Sequence, residues 1–266
     1  AIYYMTETVL LCPPIHFDVV YSINPWMKGE SVDKQKAMHQ WKLLRAAIEN
    51  WGVRVKSITQ PQHLPDIVFT ANAGTVRGDR VVLSNFRFPE RQEETDFYEE
   101  WFQNEGYETY RLPKKISFEG CGDTVPWGNK MFAGYGVRSD LGGVRRAAKI
   151  LDMELIPLKL DHPNFYHLDT CFCLLNQHCA MYYPGAFTPS AIKKLKKNIP
   201  DLIPIDVTDA AHFACNSVVY QNQVLMPLGP QKIVKELEIR GYEVTHISTS
   251  EFLKSGGSLQ CMTLWI

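Results

Sequence analysis

Cys261, His167 and Glu119 are the residues of this sequence best equipped for covalent chemistry on a small molecule. Cys261 stands in Gly256-Gly-Ser-Leu-Gln-Cys-Met-Thr-Leu264, where two glycines permit close backbone approach just ahead of the thiol. A buried cysteine is a common core residue, so the thiol gains meaning only from what faces it. His167 lies in Phe165-Tyr-His-Leu-Asp-Thr-Cys-Phe-Cys173, which has aromatic and β-branched residues and no Gly or Pro. That composition predicts a strand. An extended chain would point His167, Asp169, Cys171 and Cys173 to one side, setting a proton-transfer group beside a fixed negative charge. Of these, Cys171 and Cys173 are expected to serve packing. Glu119 sits in Phe118-Glu-Gly-Cys-Gly-Asp123, where flanking glycines let the backbone bend and the carboxylate project inward. Asp66 follows Pro65 and enters the apolar run Ile67-Val-Phe69. A thiol and an imidazole meeting in a cleft are the minimum for nucleophilic catalysis. Three carboxylates around them suit a planar cation with several donors, and guanidinium is the natural match. A metal fits less well, because one histidine alone is present in the set.

Something must bring these residues together, and a period in the chain supplies it. Five apolar segments, each ending in a polar residue, recur about every fifty residues: Ile67–Asn72, Ile116–Cys121, Tyr166–Cys171, His212–Asn216 and Ser258–Thr263. Behind the first four come a turn and a second strand, at 80–84, 130–133, 179–183 and 224–227, which is a hairpin signature. Each hairpin is followed by a helical stretch and another strand: 96–104 then 108–112, 145–151 then 154–160, 189–198 then 202–207, and 231–240 then 243–247. Near the N-terminus, Val9–Cys12 reads as a strand, and 32–51 as a helix with Met38, Trp41, Leu44, Ile48 and Trp51 on one face. Val53–Ile58 follows as a strand. The N-terminal unit lacks its first hairpin arm, and the C-terminal strand 259–266 has no successor. The economical solution is an α/β propeller of five ββαβ blades, closed by the C-terminal strand, which also removes exposed sheet edges. A doubly wound parallel sheet explains the paired strands poorly. In the propeller Asn72, Glu119, His167, Asp169, Asn216 and Cys261 converge on the axis.

Composition excludes several other roles. Hydrophobic residues at 45% and charged residues at 21% are ordinary for a globular chain, and a net charge of −1 offers nucleic acid or an anionic membrane no attraction. No apolar run is long enough to span a bilayer, and Ala1-Ile-Tyr-Tyr-Met-Thr-Glu7 lacks the pattern of a secretory leader. Seven cysteines, an odd number in a large chain, predict reduced thiols in a cytoplasmic setting. Residues 1–266 are expected to form one catalytic domain. No cofactor and no metal are expected, and the expected partners are a small-molecule substrate and, at most, further copies of the chain.

Taken together, Pro65-Asp-Ile-Val-Phe-Thr-Ala-Asn72, Phe118-Glu-Gly-Cys-Gly-Asp123, Gly134-Tyr-Gly-Val-Arg-Ser139, Phe165-Tyr-His-Leu-Asp169 and the segment around Cys261 resemble the guanidino-group-modifying superfamily. Its members include arginine deiminases, dimethylarginine dimethylaminohydrolases and glycine amidinotransferases, on the five-bladed pentein fold. Ile23-Asn-Pro-Trp-Met27 and Tyr182-Tyr-Pro-Gly-Ala-Phe187 are most similar to arginine dihydrolases of cyanobacterial type. The resemblance implies that Cys261 is the nucleophile, that His167 moves protons, and that Glu119 orients the imidazole. It implies further that Asp169 and Asp66 bind the guanidinium, that Arg91 and Arg138 bind the substrate α-carboxylate, and that Asn24 also touches substrate. Without it, both arginines read as solvated surface charges.

Asn72 departs from the Arg-Asp pair usual in deiminases and dimethylargininases. An asparagine can donate as well as accept, which suits a neutral ureido oxygen and the oxyanion formed on attack. That favours a site attacking its guanidinium carbon twice, taking arginine to ornithine, two ammonia and carbon dioxide. The alternatives are a dimethylargininase or deiminase giving citrulline, an amidinotransferase, or a non-catalytic binding module on the same fold.

Overall fold

A computed structural model describes residues 8–266; the opening segment read for a leader lies outside them. Strand β1 (Thr8–Leu11) leads to helix α1 (Lys34–Asn50) and β2 (Arg54–Ser57). Asp33 caps α1 by accepting from the Lys36 amide, and Ala37, Trp41, Leu44 and Ile48 bury its inner stripe. Next come β3 (Gly74–Arg77), β4 (Arg80–Leu83), α2 (Pro89–Gln92), α3 (Glu94–Asn104) and β5 (Glu108–Tyr110). The third unit is β6 (Thr124–Trp127), β7 (Lys130–Tyr135), α4 (Leu141–Ile150) and β8 (Glu154–Lys159). The fourth is β9 (Phe172–Asn176), β10 (Cys179–Tyr182), α5 (Pro189–Asn198) and β11 (Asp201–Pro204). After α6 (Val207–Ala211) come β12 (Val218–Tyr220), β13 (Gln223–Pro227), α7 (Lys232–Ile239), β14 (Glu243–Ile247), α8 (Ser250–Leu253) and β15 (Leu264–Trp265).

These strands form five sheets of three strands each. Four repeat one plan: an antiparallel hairpin, a helix, and a third strand parallel to the second hairpin arm. In the remaining sheet β1 takes the middle place, parallel to β2 and antiparallel to β15, with Val9 opposite Trp265 and Leu10 opposite Leu264. The C-terminal strand thus supplies the arm the N-terminal unit lacks.

Three local expectations are corrected. Phe165–Cys173 is not one strand: Leu168–Thr170 forms a 3-10 turn behind an extended His167, and the strand starts at Phe172. The first hairpin arms lie a few residues later than the polar segments, which themselves form tight turns, as at Thr70–Ala73 and Gly120–Gly122. Likewise only Leu264–Trp265 of the expected final strand is extended in a sheet, so Cys261 sits on the turn before it. The polar side chains explain these breaks. A 3-10 turn leaves backbone groups unpaired in the ladder, and here side chains from neighbouring units take them up: Asn216 Nδ2 donates to the Asp169 carbonyl, and Thr70 Oγ1 donates to the carbonyls of Leu10 and Met262.

Candidate active site

The turns between the sheets' inner strands bring Asn72, Glu119, His167, Asp169, Asn216 and Cys261 to one buried centre, all of them 3% exposed or less. Glycine makes the approach close enough. A Cβ on Gly122 would lie 2.3 Å from Asn72 Nδ2 and 3.0 Å from His167 Nδ1, and one on Gly257 would lie 2.3 Å from the Phe69 ring.

His167 Nε2 lies 2.5 Å from Glu119 Oε2. The same oxygen accepts from Arg138 Nη1 at 3.0 Å, while Oε1 accepts from the Arg87 amide at 3.1 Å. Burial pushes the Glu119 carboxyl up, but the Arg138 guanidinium and the His167 imidazole outweigh it and hold it well below the usual carboxylate range. An ionised Glu119 that only accepts leaves Nε2 as the protonated nitrogen of the ring and Nδ1 as the atom free to exchange a proton. Behind this pair stands Asp123. Its Oδ2 accepts from Ser139 Oγ at 2.6 Å and its Oδ1 from the Leu168 amide at 3.1 Å, while Ser139 Oγ accepts from the Glu119 amide at 2.9 Å. One carboxylate therefore anchors the backbone of both Glu119 and the residue after His167.

The Cys261 thiol donates to Asp169 Oδ2 at 3.3 Å and accepts from Asn216 Nδ2 at 3.1 Å, and the Cys261 amide donates to Asn216 Oδ1 at 3.2 Å. Burial, reinforced by the Asp169 charge, raises the thiol well above the ordinary range, so it rests protonated. Burial also lifts Asp169 to about 7 against the pull of His167. Its Oδ1 has no hydrogen-bond partner.

A narrow cavity opens onto the thiol, lined among others by Asn24, Asp66, Asn72, Arg91, Arg138 and Cys261. Both arginines read from sequence as surface charges are buried, at 4% and 3% exposed. Arg91 forks onto Glu94 with two 2.8 Å bonds, donates from Nη1 to Asn72 Oδ1 at 2.9 Å and from Nη2 to the Asp66 carbonyl at 3.1 Å. Arg138 is sandwiched between the rings of Phe88 and Tyr166, each 4.7 Å away, and donates from Nη2 to the Ile23 carbonyl. Asp66 Oδ1 accepts from Ser255 Oγ, and burial raises its carboxyl against the pull of Arg91. Asn24 Nδ2 donates to the Ser255 carbonyl, tying the 23–27 loop over the cavity.

The site residues expected from sequence thus meet in one place: six line the cavity, and Glu119, His167 and Asp169 stand behind its wall. Sequence reasoning brought Asn216 to the axis without giving it a role, and missed Asp123, Glu94 and Tyr166. Asn216 had a signal, its place in the five-fold repeat. Glu94 had none, since it is one acid in the run Glu93-Glu-Thr-Asp96.

By architecture the chain belongs with α/β proteins of this five-sheet plan: the solved N-terminal domain of an ArgZ variant, described as covalently bonded to a reaction intermediate, superposes with a TM-score of 0.93 at 40% identity, covering 97% of this chain and 96% of that one. The family model described as N,N dimethylarginine dimethylhydrolase, eukaryotic, matches residues 22–266, and the chain is a member of that family. It is 42% identical over 96% of its length to the bifunctional arginine dihydrolase/ornithine cyclodeaminase AgrE of Nostoc sp., of which it spans 37%. It is 37% identical over 98% of its length to the N(G),N(G)-dimethylarginine dimethylaminohydrolase of Mycobacterium tuberculosis, covering 86% of that protein. Among the described residues no helix is long and apolar enough to cross a membrane.

Proposed function

We propose that this chain is a single catalytic domain that hydrolyses the guanidino group of arginine through a covalent Cys261 intermediate, giving ornithine, two ammonia and carbon dioxide. In this reading the five sheets are blades of a closed ring with the site on its axis, and reduced thiols fit a cytoplasmic enzyme, since all seven cysteines are free. No cofactor is required.

Substrate enters with its guanidinium toward Asp66 and Asp169 and its α-carboxylate toward Arg91 and Arg138, with Asn24 over the mouth. The guanidinium charge offsets the cost of a thiolate beside Asp169. As Cys261 Sγ bonds to the guanidinium carbon, the thiol proton passes to His167 Nδ1, and one C–N bond breaks as the imidazolium gives that proton to the leaving nitrogen, so that ammonia departs. The imidazole then takes a proton from water, whose oxygen adds to the same carbon as the C–S bond breaks, leaving citrulline. A second attack on the ureido carbon expels the second ammonia. Hydrolysis of the resulting thiocarbamate gives the carbamate of ornithine, which loses carbon dioxide.

The single observation that carries the second round is the Arg91–Asn72 bond. Arg91 occupies Asn72 Oδ1 and the Glu119 carbonyl takes one Nδ2 hydrogen at 3.3 Å, so the second Nδ2 hydrogen is what remains for a ligand. A donor there stabilises the oxygen of a ureido group under attack; an aspartate would instead be held as an ion pair by Arg91. The similarity to a dimethylargininase supports a second reading, in which citrulline is the end product. Quantifying ornithine, citrulline and ammonia from arginine separates the two. Two ammonia per ornithine is the expected balance, and citrulline as sole end product overturns the dihydrolase reading. Asn72→Asp should accumulate citrulline.

A further inference from the structure

Glu94 has no part in the reaction described above, yet it is fully buried beside the site. It opens α3, where Thr95 Oγ1 donates to the Ser84 carbonyl at 2.9 Å and Tyr98 Oη to the Ile67 carbonyl at 2.7 Å. The helix end is thereby pinned against the segment that carries Asp66 and Asn72. Both Glu94 oxygens accept from Arg91, Oε1 from Nε and Oε2 from Nη2, and the Phe86 ring covers the guanidinium at 4.5 Å. A guanidinium has five N–H donors. Among the described residues Arg91 uses four: two on Glu94, one on the Asp66 carbonyl and one, from Nη1, on Asn72 Oδ1. A single Nη1 hydrogen is left for substrate. Arg138 uses two, on Glu119 and on the Ile23 carbonyl, and is the better placed of the two to fork onto a carboxylate. The Arg91–Glu94 pair is also a poor stability device, because desolvation of two buried charges offsets their attraction. Burial lifts Glu94 to about 7 even against the pull of Arg91.

Resting on the proposed function, we propose that Glu94 is a positioning residue for the second round of hydrolysis. By locking Arg91 it holds the Asn72 amide with Nδ2 toward the ligand, and so sets how much citrulline is attacked again rather than released. A guanidinium is planar, so fixing Nε and Nη2 on one carboxylate leaves Nη1 one direction, and that direction ends on Asn72 Oδ1. Turning the amide over would set Nδ2 against Arg91 Nη1, and Oδ1 against the Glu119 carbonyl, which accepts from Nδ2 at 3.3 Å. Of the two bonds that forbid the turn, the one from Arg91, at 2.9 Å, is the shorter and is charge-assisted. It lasts only while Glu94 holds the guanidinium at that angle. In the first round the carbon under attack carries nitrogen alone, and the Nδ2 hydrogen has no ureido oxygen to meet. In the second round it meets one, and donates to the negative charge that grows there. The orientation of one amide therefore matters to the second round and not to the first.

Two variants test the role. Glu94→Gln replaces one acceptor of the fork with a donor, and Glu94→Asp keeps the charge but withdraws the fork by one methylene. At saturating arginine the molar ratio of ornithine to citrulline should fall about tenfold in each, the scale of one charge-assisted hydrogen bond. The ratio counts only molecules already processed once, so a loss of folded protein does not move it. Labelling of Cys261 by a haloamidine shows that the nucleophile is in place. Should Glu94→Gln fail to label, Glu94→Asp, which leaves Arg91 its counter-charge, decides. A wild-type ratio in a variant that labels overturns the positioning role. The inhibition constant of citrulline against arginine should rise less than about threefold, because Arg91 has one donor to withdraw from it. A rise as large as the fall in ratio means that citrulline merely escapes faster, and overturns the role as well. Citrulline as the sole end product of the wild-type chain overturns the parent reading instead. That result is distinct from a wild type that makes ornithine beside variants with an unchanged ratio.

Discussion

Asp169 carries two opposed demands in one side chain: it accepts from the thiol, and it is buried where ionisation is costly. The folded-state value of about 7 lies above the unfolded carboxyl value of about 3.9. The folded protein therefore binds a proton across that window while the unfolded chain releases it. Its share of stability is complete below about pH 3.9 and is lost as pH rises through about 7. Asp169→Asn removes that loss. Its melting temperature relative to wild type should be higher at pH 8 than at pH 5, and a constant difference between the two would refute the assignment. The sign is opposite for Glu119, whose value is held low by Arg138 and His167 and whose contribution is present above the unfolded value and lost on acidification. Residue types made the thiol, the imidazole and the acids legible in the sequence. Their partners were not. Arg91 pairs with Glu94 three residues on, but its bonds to Asn72 and to the Asp66 carbonyl cross 19 and 25 residues, and nothing local to those positions announces them.

At the scale of elements, the site is built on short turns rather than on strands. Gly120–Gly122 shows why. Gly120 has φ +55°, a left-handed value that side-chain-bearing residues rarely adopt, and Gly122 sits where any side chain would strike Asn72 and His167. Gly122→Ala must therefore displace the Asn72 amide, the His167 ring, or both. Because a misplacement of about 1 Å can cost about a hundredfold in rate, kcat should fall by about that factor. The far-ultraviolet circular dichroism spectrum should stay native, since Gly122 is outside every sheet. Wild-type kcat in a folded Gly122→Ala variant would show that the close approach is not needed. The expected strand through His167 fails for a related reason. Composition at 165–173 favours extension, but Asn216 Nδ2 reaches in to the Asp169 carbonyl and Asp123 to the Leu168 amide, and tertiary hydrogen bonds of this kind override local propensity.

For the whole molecule, the two chain ends share one sheet. Leu264 and Trp265 pair with β1, the Ile266 amide donates to the Thr8 carbonyl, and the Trp265 ring stacks on Tyr220 at 6.0 Å, which stacks on Trp51 at 5.5 Å. Trp265 is 9% exposed. Trp265→Ala should cost about 3–5 kcal/mol, and at about 2–4 °C per kcal/mol for a domain of this size the melting temperature should fall by about 6–20 °C. An unchanged melting temperature would mean that the terminal strand does not support the fold. Cys261 lies on the turn feeding this strand, so the same variant should also lower the haloamidine labelling rate.

The sequence alone determined the number of units, the place of most helices and second hairpin arms, and the joining of the two ends. Hydrophobic periodicity and turn residues act over a few positions, and a recurrence of about fifty residues exposes what they repeat. Tertiary structure alone decided that Arg91 and Arg138 are buried, that Asn216 clamps Cys261, and that Asp169 meets the Cys261 thiol. Asn216–Cys261 and Arg138–Ile23 join different units across 45 and 115 residues, and Arg91 reaches Asn72 and Asp66 across 19 and 25 residues. Such contacts exist only once the sheets have packed, because desolvation and hydrogen bonding at a shared centre depend on every unit being in place.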